Sequence, residues 1–127
     1  MKLVHKSGSI KCNPDDPASY WGCTYEPRYG NSGLMTVITN AKKGAILPPA
    51  GDLKAHSAGE CKYKNHFYSL NGTNHTSSEL VFRDLANPLS VSCNQELQIW
   101  YGQDWIDCSE HNNDNGKTCV DVFAWYA

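Results

Sequence analysis

The strongest strand signal in the sequence is LSVSCNQELQIWY, residues 89–101. Apolar side chains occupy alternate positions, which is the period of a β-strand with one buried face. This apolar set is Leu89, Val91, Cys93, Leu97, Ile99 and Tyr101. The two halves share one face only if residues 94–96, NQE, stay in register. A bend there would give two shorter strands, and this is an equal alternative.

The C-terminal residues 119–126, CVDVFAWY, alternate in the same way. One face carries Val120, Val122, Ala124 and Tyr126, and the other carries Cys119, Asp121, Phe123 and Trp125. Shorter candidate strands lie at residues 34–39, 61–70 and 79–83, whereas residues 1–30 are dominated by turn-forming residues. The sequence therefore predicts an all-β fold, an antiparallel, jelly-roll-like β-sandwich of about seven or eight strands with many loops. The alternative is an α+β fold with a helix near residues 50–60.

Length and charge narrow the class of protein. A chain of 127 residues predicts one domain spanning residues 1–127. Charged residues make up 19% of the chain and the net charge is −2, so no basic field suited to nucleic acid is present. No apolar run approaches the length of about 18 residues that a membrane-spanning helix needs, which argues against membrane insertion.

The chain has six cysteines, an even number that favours a disulfide framework in a small extracellular protein. Loop positions favour three bridges, Cys12–Cys23, Cys61–Cys93 and Cys108–Cys119, although sequence alone does not choose among the pairings. In this interpretation residues 109–118 form the loop of a hairpin that the Cys108–Cys119 bridge closes. The alternative is a cytosolic protein with six buried thiols. A zinc site is disfavoured, because the paired spacing typical of zinc ligands is missing.

Two glycosylation sequons support secretion. They begin at Asn71 and Asn74, within a polar loop. The N-terminal residues lack the apolar centre of a signal peptide, so we expect a secreted, extracellular protein seen as its mature form or as an excised piece with a start methionine.

An acidic region near the C-terminus predicts a calcium site. Calcium prefers carboxylate and carbonyl oxygens, and the candidate ligands are Asp104, Asp107, Glu110 and Asp114. The spacing differs from that of an EF-hand loop. The alternative is that these residues only form tight turns, which Asp and Asn favour.

Aromatic residues near the same region are candidates for ligand contacts. Trp and Tyr rings stack on sugars and anchor protein interfaces. We expect Trp100, Trp105 and Trp125 to contact a ligand, together with Glu110 and Asn113. The competing interpretations are that these rings pack in the core, or that a Tyr-rich N-terminal segment binds instead.

A catalytic signature is missing from the sequence. It contains no Gly-x-Ser-x-Gly, His-Glu-x-x-His or glycine-rich phosphate loop. A carboxylate pair for glycoside hydrolysis, Glu96 with Asp107, is the enzymatic alternative. These observations favour a protein that is not an enzyme.

Residues 89–104, LSVSCNQELQIWYGQD, followed by residues 119–126, resemble the end of domains in cnidarian extracellular proteins of the adhesion and skeletal-matrix type. The resemblance covers about the last third of the chain and implies a secreted invertebrate β module. A looser likeness to jelly-roll carbohydrate-binding modules breaks at Cys93-Asn94, where those modules have glycine.

The sequence thus predicts a secreted, non-enzymatic, lectin-like binding module. Its expected partner is a glycan or an extracellular or cell-surface protein, with possible calcium assistance. A structural matrix protein without a small ligand is the first alternative, and a small hydrolase is the second.

Overall fold

The computed structural model describes residues 1–11, 14–22, 33–57, 64–83, 88–105 and 115–125. In these ranges the chain forms eight strands and one short helix. The strands are β1 (Lys2–Lys11), β2 (Thr36–Asn40), β3 (Ala45–Leu47), β4 (Lys54–Ser57), β5 (Lys64–Phe67), β6 (Glu79–Val81), β7 (Leu97–Tyr101) and β8 (Asn115–Phe123). The helix is α1 (Gly102–Trp105), and a 3₁₀ turn covers Ala50–Asp52.

The strands form two three-stranded sheets and one hairpin. The first sheet has the order β6-β1-β8, the second has the order β3-β2-β7, and β4 pairs with β5. All these pairings are antiparallel, which confirms the all-β prediction. The alternative helix near residues 50–60 is wrong, because a 3₁₀ turn and β4 occupy residues 50–57. Among the described residues, the helices are too short to cross a membrane.

The main core lies between the two three-stranded sheets. Leu3 and Leu80 enter it from the first sheet, and Ile38 and Leu47 enter it from the second. Trp21, on the segment between β1 and β2, joins the same cluster and is 1% exposed. Burial of this apolar surface is the main favourable contribution to folding.

Strand β2 is the central strand of the second sheet and is buried along nearly its whole length. The loop before it is fixed by Tyr68, whose backbone exchanges two hydrogen bonds of 3.0 Å with Leu34. The Tyr68 hydroxyl donates a hydrogen bond to the Thr36 carbonyl inside the core. Burial raises the pKa of Tyr68 well above its ordinary value, since the phenolate would lose its hydration. The hydroxyl therefore stays protonated and available as a donor.

The ladder between β1 and β8 is long and contains one bulge. Its register runs from Lys2 opposite Phe123 to Lys11 opposite Asn115, and it shifts between His5 and Ser7. Leu3 is fully buried and pairs with Val122, so the even-numbered positions of β8 face inward at this end. The predicted two faces of the C-terminal strand therefore match the observed register.

The stretch 89–101 forms a strand only at its second half, β7. A turn at residues 92–95 separates the halves, with a hydrogen bond from the Gln95 N–H to the Ser92 carbonyl and a φ of 62° at Asn94. Leu89 and Val91, before the turn, are 40% and 43% exposed. The alternative with a bend is the one observed.

Most of the predicted hairpin loop, residues 109–118, lies outside the described residues. Before the undescribed segment 106–114, Trp105 ends helix α1, and after it β8 pairs with β1. Asn115 and Gly116, expected in the hairpin turn, are the first residues of β8.

Two of the six cysteines, Cys93 and Cys119, lie in the described residues. Cys93 and Cys119 are free thiols, and both are exposed. Cys93 lies in the turn after Ser92, and Cys119 lies on the outward face of β8, so neither thiol points into the core. Cys61 and Cys108, their suggested partners, lie outside the described residues, as do Cys12 and Cys23. The three suggested bridges therefore stay predictions.

Candidate functional site

An open cleft lies where the two sheets part, between the outer strands β7 and β8. Its volume is about 320 Å³, which falls at the lower end of the range of small-molecule sites in proteins. Residues of β1, β7, β8 and α1 line it, and the whole lining comprises Leu3, Ile10, Lys11, Tyr20, Trp21, Thr36, Ile99, Trp100, Tyr101, Asp104, Gly116, Lys117, Thr118 and Val120.

Trp100 is an aromatic side chain held in place from two directions. Its indole N–H donates a 3.0 Å hydrogen bond to the Gln98 side chain, two positions earlier on the same face of β7. The Lys43 ammonium lies 4.4 Å from the ring centroid, within the distance of a cation–π contact. A ring positioned in advance loses little conformational entropy when a ligand stacks on its accessible part.

Tyr20 contributes a second ring to the cleft. It stacks on His5 with the ring centroids 3.6 Å apart and the planes 10° from parallel. The His5 imidazole is itself hydrogen-bonded to the Gly8 carbonyl at 2.7 Å and meets the edge of Trp21. The β1 side of the cleft is therefore an ordered aromatic wall.

The polar groups of the cleft carry both signs of charge. Asp104, on helix α1, is exposed and is the one carboxylate among the described lining residues. Lys11 and Lys117 lie on the β1–β8 side. The Lys11 ammonium donates to the Pro14 carbonyl at 3.3 Å. This mixture of donors and acceptors suits an uncharged polyhydroxyl ligand better than a strongly charged one.

Thr118 places a buried polar atom, its hydroxyl oxygen, beside the cleft. This oxygen has no hydrogen-bond partner among the described residues. Thr118 lies on an inward-facing position of β8, opposite Gly8. A buried hydroxyl without a partner costs about 1–3 kcal/mol of stability.

The structure places the three predicted tryptophans at different sites. Trp100 lines the cleft. Trp105 lies at the end of α1, where its indole N–H donates a 2.9 Å hydrogen bond to the Lys43 carbonyl. Trp125 is 65% exposed beyond β8, with the Lys2 ammonium 5.9 Å from its ring centroid. Trp125 is not among the residues that line the cleft.

The predicted calcium set is described only in part. Asp104 lines the cleft, while Asp107, Glu110 and Asp114 lie outside the described residues, as does the predicted ligand contact Asn113. Within the described ranges, no three His, Cys, Asp or Glu side chains gather as a metal site. Glu96, half of the proposed hydrolytic pair, is exposed, and its carboxylate accepts a 2.6 Å hydrogen bond from Gln98.

Both predicted glycosylation positions are exposed in the described loop between β5 and β6. Asn71 starts a turn with Gly72, whose φ is 74°. The Asn74 side-chain oxygen accepts hydrogen bonds from the backbone and hydroxyl of Thr76 at 2.9 and 3.1 Å. These contacts use Oδ1, and a glycan would attach at Nδ2, so the observed conformation leaves the attachment atom available.

Tyr20 belongs to the Tyr-rich N-terminal segment that was the alternative binding site, whereas the sequence did not point to the lining residues Lys11, Lys117 and Thr118. They belong to β1, to the segment after it and to β8, which the sequence does not predict to be neighbours of β7. The long pairing of β1 with β8 brings them together.

Comparisons with known proteins give one match of fold. No family model matches the sequence, and no curated protein matches it at a significant level. Among solved structures, AJLec from the sea anemone Anthopleura japonica matches with a TM-score of 0.79 and 27% sequence identity. The match covers 99% of this chain and 77% of AJLec. Along nearly its whole length, the chain is therefore similar to a cnidarian protein whose name marks it as a lectin.

Proposed function

We propose that this protein is a secreted, non-enzymatic lectin that binds a glycan in the cleft between β7 and β8. The observation that carries the proposal is the similarity to AJLec along 99% of the chain. The cleft provides a suitable place, because it is open, partly apolar and large enough to accept a monosaccharide or the end of an oligosaccharide.

The side chains of the cleft match the chemistry of a sugar. The C–H faces of a pyranose pack against aromatic rings, which Trp100 and Tyr20 offer. Its hydroxyls need donors and acceptors, which the exposed side chains of Lys117 and Asp104 offer.

Calcium is the second part of the proposal. Asp104 is exposed at the rim of the cleft and carries the kind of oxygen ligand that calcium prefers. We propose it as one ligand of a calcium ion that also uses Asp107, Glu110 and Asp114. In such a site the ion would orient the sugar hydroxyls by accepting them into its coordination shell.

The test is a glycan array with the purified protein, run with calcium and with a chelator. We expect binding to a defined set of glycans, and weaker binding after chelation. For the strongest glycan, Trp100→Ala and Asp104→Ala should each reduce affinity about tenfold or more, equivalent to about 1.4 kcal/mol. Titration calorimetry measures both effects.

Trp125→Ala is the matched control, because Trp125 is more exposed than Trp100 but does not line the cleft. It should leave the affinity unchanged. Loss of binding in Trp125→Ala, with full binding in Trp100→Ala, would place the site elsewhere. An empty array would contradict glycan binding, and release of free sugar from bound glycans would favour the hydrolase. Equal binding in chelator would remove calcium from the proposal.

Secretion has its own test. We expect the chain, expressed behind a signal peptide in a eukaryotic host, to carry N-linked glycan at Asn71 and Asn74, since both side chains are exposed. Treatment with an N-glycosidase should then lower the intact mass, and Asn71→Gln and Asn74→Gln should each remove one glycan. A mass equal to that of the bare chain would count against glycosylation in this loop.

A further inference from the structure

Among the described residues, strand β8 has a pairing partner on one of its two edges. It pairs with β1 along nine residues, Asn115–Phe123, on one side. On the other side, no strand of the described residues pairs with it, and none of their backbone hydrogen bonds outside the strand ladders involves β8. An edge strand of this length presents a row of free N–H and C=O groups that can pair with another strand.

The C-terminal end of β8 carries exposed apolar side chains on both faces of the strand, because Val122 is only partly covered although it lies on the same face as Leu3. Val122 is 52% exposed, Phe123 is 48% exposed, and Trp125 follows at 65%. Large apolar side chains grouped on a surface mark interaction sites. Natural proteins protect exposed edges with very short strands or proline, whereas β8 is long and contains no proline.

The sequence of β8 is complementary to itself in the antiparallel direction. Cys119 is the middle residue of its nine, so a two-fold axis at Cys119 would place each β8 residue opposite a defined residue of a second copy. In that register, Lys117 lies opposite Asp121 of the second copy, and this pair occurs twice. Thr118 lies opposite Val120, and Asn115 lies opposite Phe123.

The charges fit this arrangement. Lys117, Cys119 and Asp121 share the outward face of β8, where all three are exposed. Lys117 has no ion-pair partner among the described residues, and Asp121 forms one exposed pair with Lys6 at 3.2 Å. Opposite charges directly across two strands stabilise the pairing. A second copy would therefore bring each unpaired Lys117 to a carboxylate.

We propose that two copies of this chain associate through the free edge of β8, with a two-fold axis at Cys119, and that a disulfide between the two Cys119 residues secures the dimer. Residues directly opposite in an antiparallel pair have Cα atoms about 4.5–5.5 Å apart. This separation lies within the range that a disulfide spans, about 4.4–6.8 Å. Cys119 is a free and exposed thiol, as the bridge requires.

The covalent step is a thiol–disulfide exchange with a small disulfide, such as oxidised glutathione, as the oxidant. The thiolate of one Cys119 attacks that disulfide, forms a mixed disulfide and releases one glutathione thiol. The thiolate of the second Cys119 then attacks the Cys119 sulfur of the mixed disulfide, and the second glutathione leaves. Both cysteines are oxidised, and one oxidised glutathione is reduced to two thiols.

The bridge compensates for the small size of the interface. A stable dimer commonly buries about 800 Å² on each partner, which is more than one strand edge provides. We therefore expect a dimer that dissociates readily in reductant and becomes permanent after oxidation. Lys117 also lines the cleft proposed to bind a glycan, but the readout of this proposal is the oligomeric state, which is measured without a glycan.

The experiment begins with the full chain in a glutathione redox buffer. On a non-reducing gel we expect a species of twice the 14.1 kDa chain mass, and peptide mapping should find Cys119 joined to Cys119. Cys119→Ser should abolish this species. Cys93→Ser is the matched control, since Cys93 is the other exposed free thiol of the described residues, and it should leave the species intact.

The register is tested with charge and cross-linking variants. In reductant, light scattering after gel filtration should show that Lys117→Glu weakens association about tenfold, and that adding Asp121→Lys restores it. In a Cys119→Ser background, Lys117→Cys with Asp121→Cys should form a covalent dimer, whereas Lys117→Cys alone should not. A chain that stays monomeric in oxidised glutathione, or a dimer unchanged by Cys119→Ser and by Lys117→Glu, would overturn the proposal.

Discussion

Replacing Trp21 with alanine is expected to lower the free energy of unfolding by about 3–5 kcal/mol, the usual cost of deleting a large buried aromatic side chain. Trp21 is 1% exposed and belongs to the core cluster between the two sheets. Native domains are stable by only about 5–15 kcal/mol, so this one change would remove a large part of the stability of the fold.

Trp21 has this importance because it joins three segments of the chain. Its indole N–H donates a 2.6 Å hydrogen bond to the Ser77 carbonyl, in the loop that carries the sequons. Its own carbonyl accepts bonds from the Met35 N–H at 2.8 Å and from the Thr36 hydroxyl at 3.1 Å, which fixes the start of β2. The side-chain bond is lost on substitution, while the backbone carbonyl remains.

Trp21→Phe separates packing from hydrogen bonding. It keeps most of the apolar volume but leaves the Ser77 carbonyl without its donor, which should cost about 1–3 kcal/mol. Urea denaturation of both variants and of Trp125→Ala, an exposed control, measures the effects at constant m-value. A Trp21→Ala protein that unfolds within about 1 kcal/mol of the parent would contradict the role assigned to this side chain.

The sequence predicted the class of fold because its clearest alternations survive in the structure. Residues 36–40, 79–81 and 97–101 are strands close to where they were expected. In β8 the alternation is regular along residues 118–123, and the inward positions 120 and 122 are both valine. Where the alternation is unbroken, the sequence alone is sufficient to predict the strand and its inward face.

Strand β1 could not be predicted in this way, although it is the central strand of its sheet. The register shift between His5 and Ser7 moves the inward face from odd to even positions. A bulge of this kind breaks the two-residue period. With Lys6, Ser7 and Gly8 at the break, the segment lacks the alternating apolar pattern of a strand.

The candidate site was predicted only at its β7 side. Trp100 and Asp104 lie on β7 and α1, within five residues of each other, so local sequence was enough to group them. Tyr20, Lys117 and Thr118 reach the cleft through pairing between distant strands. Non-local pairing of this kind leaves no local signal in one sequence.

Gly8→Ala is expected to have the second large effect, because Gly8 meets two requirements that alanine violates. Its φ is 78°, in the left-handed region, and a Cβ there would lie 1.8 Å from the carbonyl oxygen of Lys117. The backbone strain is worth about 1–2 kcal/mol, and the clash adds about 1–3 kcal/mol. Gly8 pairs with Thr118, so relief of the clash would move the β8 wall of the cleft.

Gly72→Ala is the matched control for the strain, since Gly72 has a φ of 74° and nothing within 4 Å of the added Cβ. It should lose about 1–2 kcal/mol of stability and keep full glycan affinity. Gly8→Ala should lose more stability in thermal melting, and its affinity for the strongest glycan should fall with it. Equal losses of stability in the two variants would show that the contact of β1 with the Lys117 carbonyl does not explain the glycine at position 8. If Gly8→Ala is less stable but binds normally, the β8 wall does not contact the sugar.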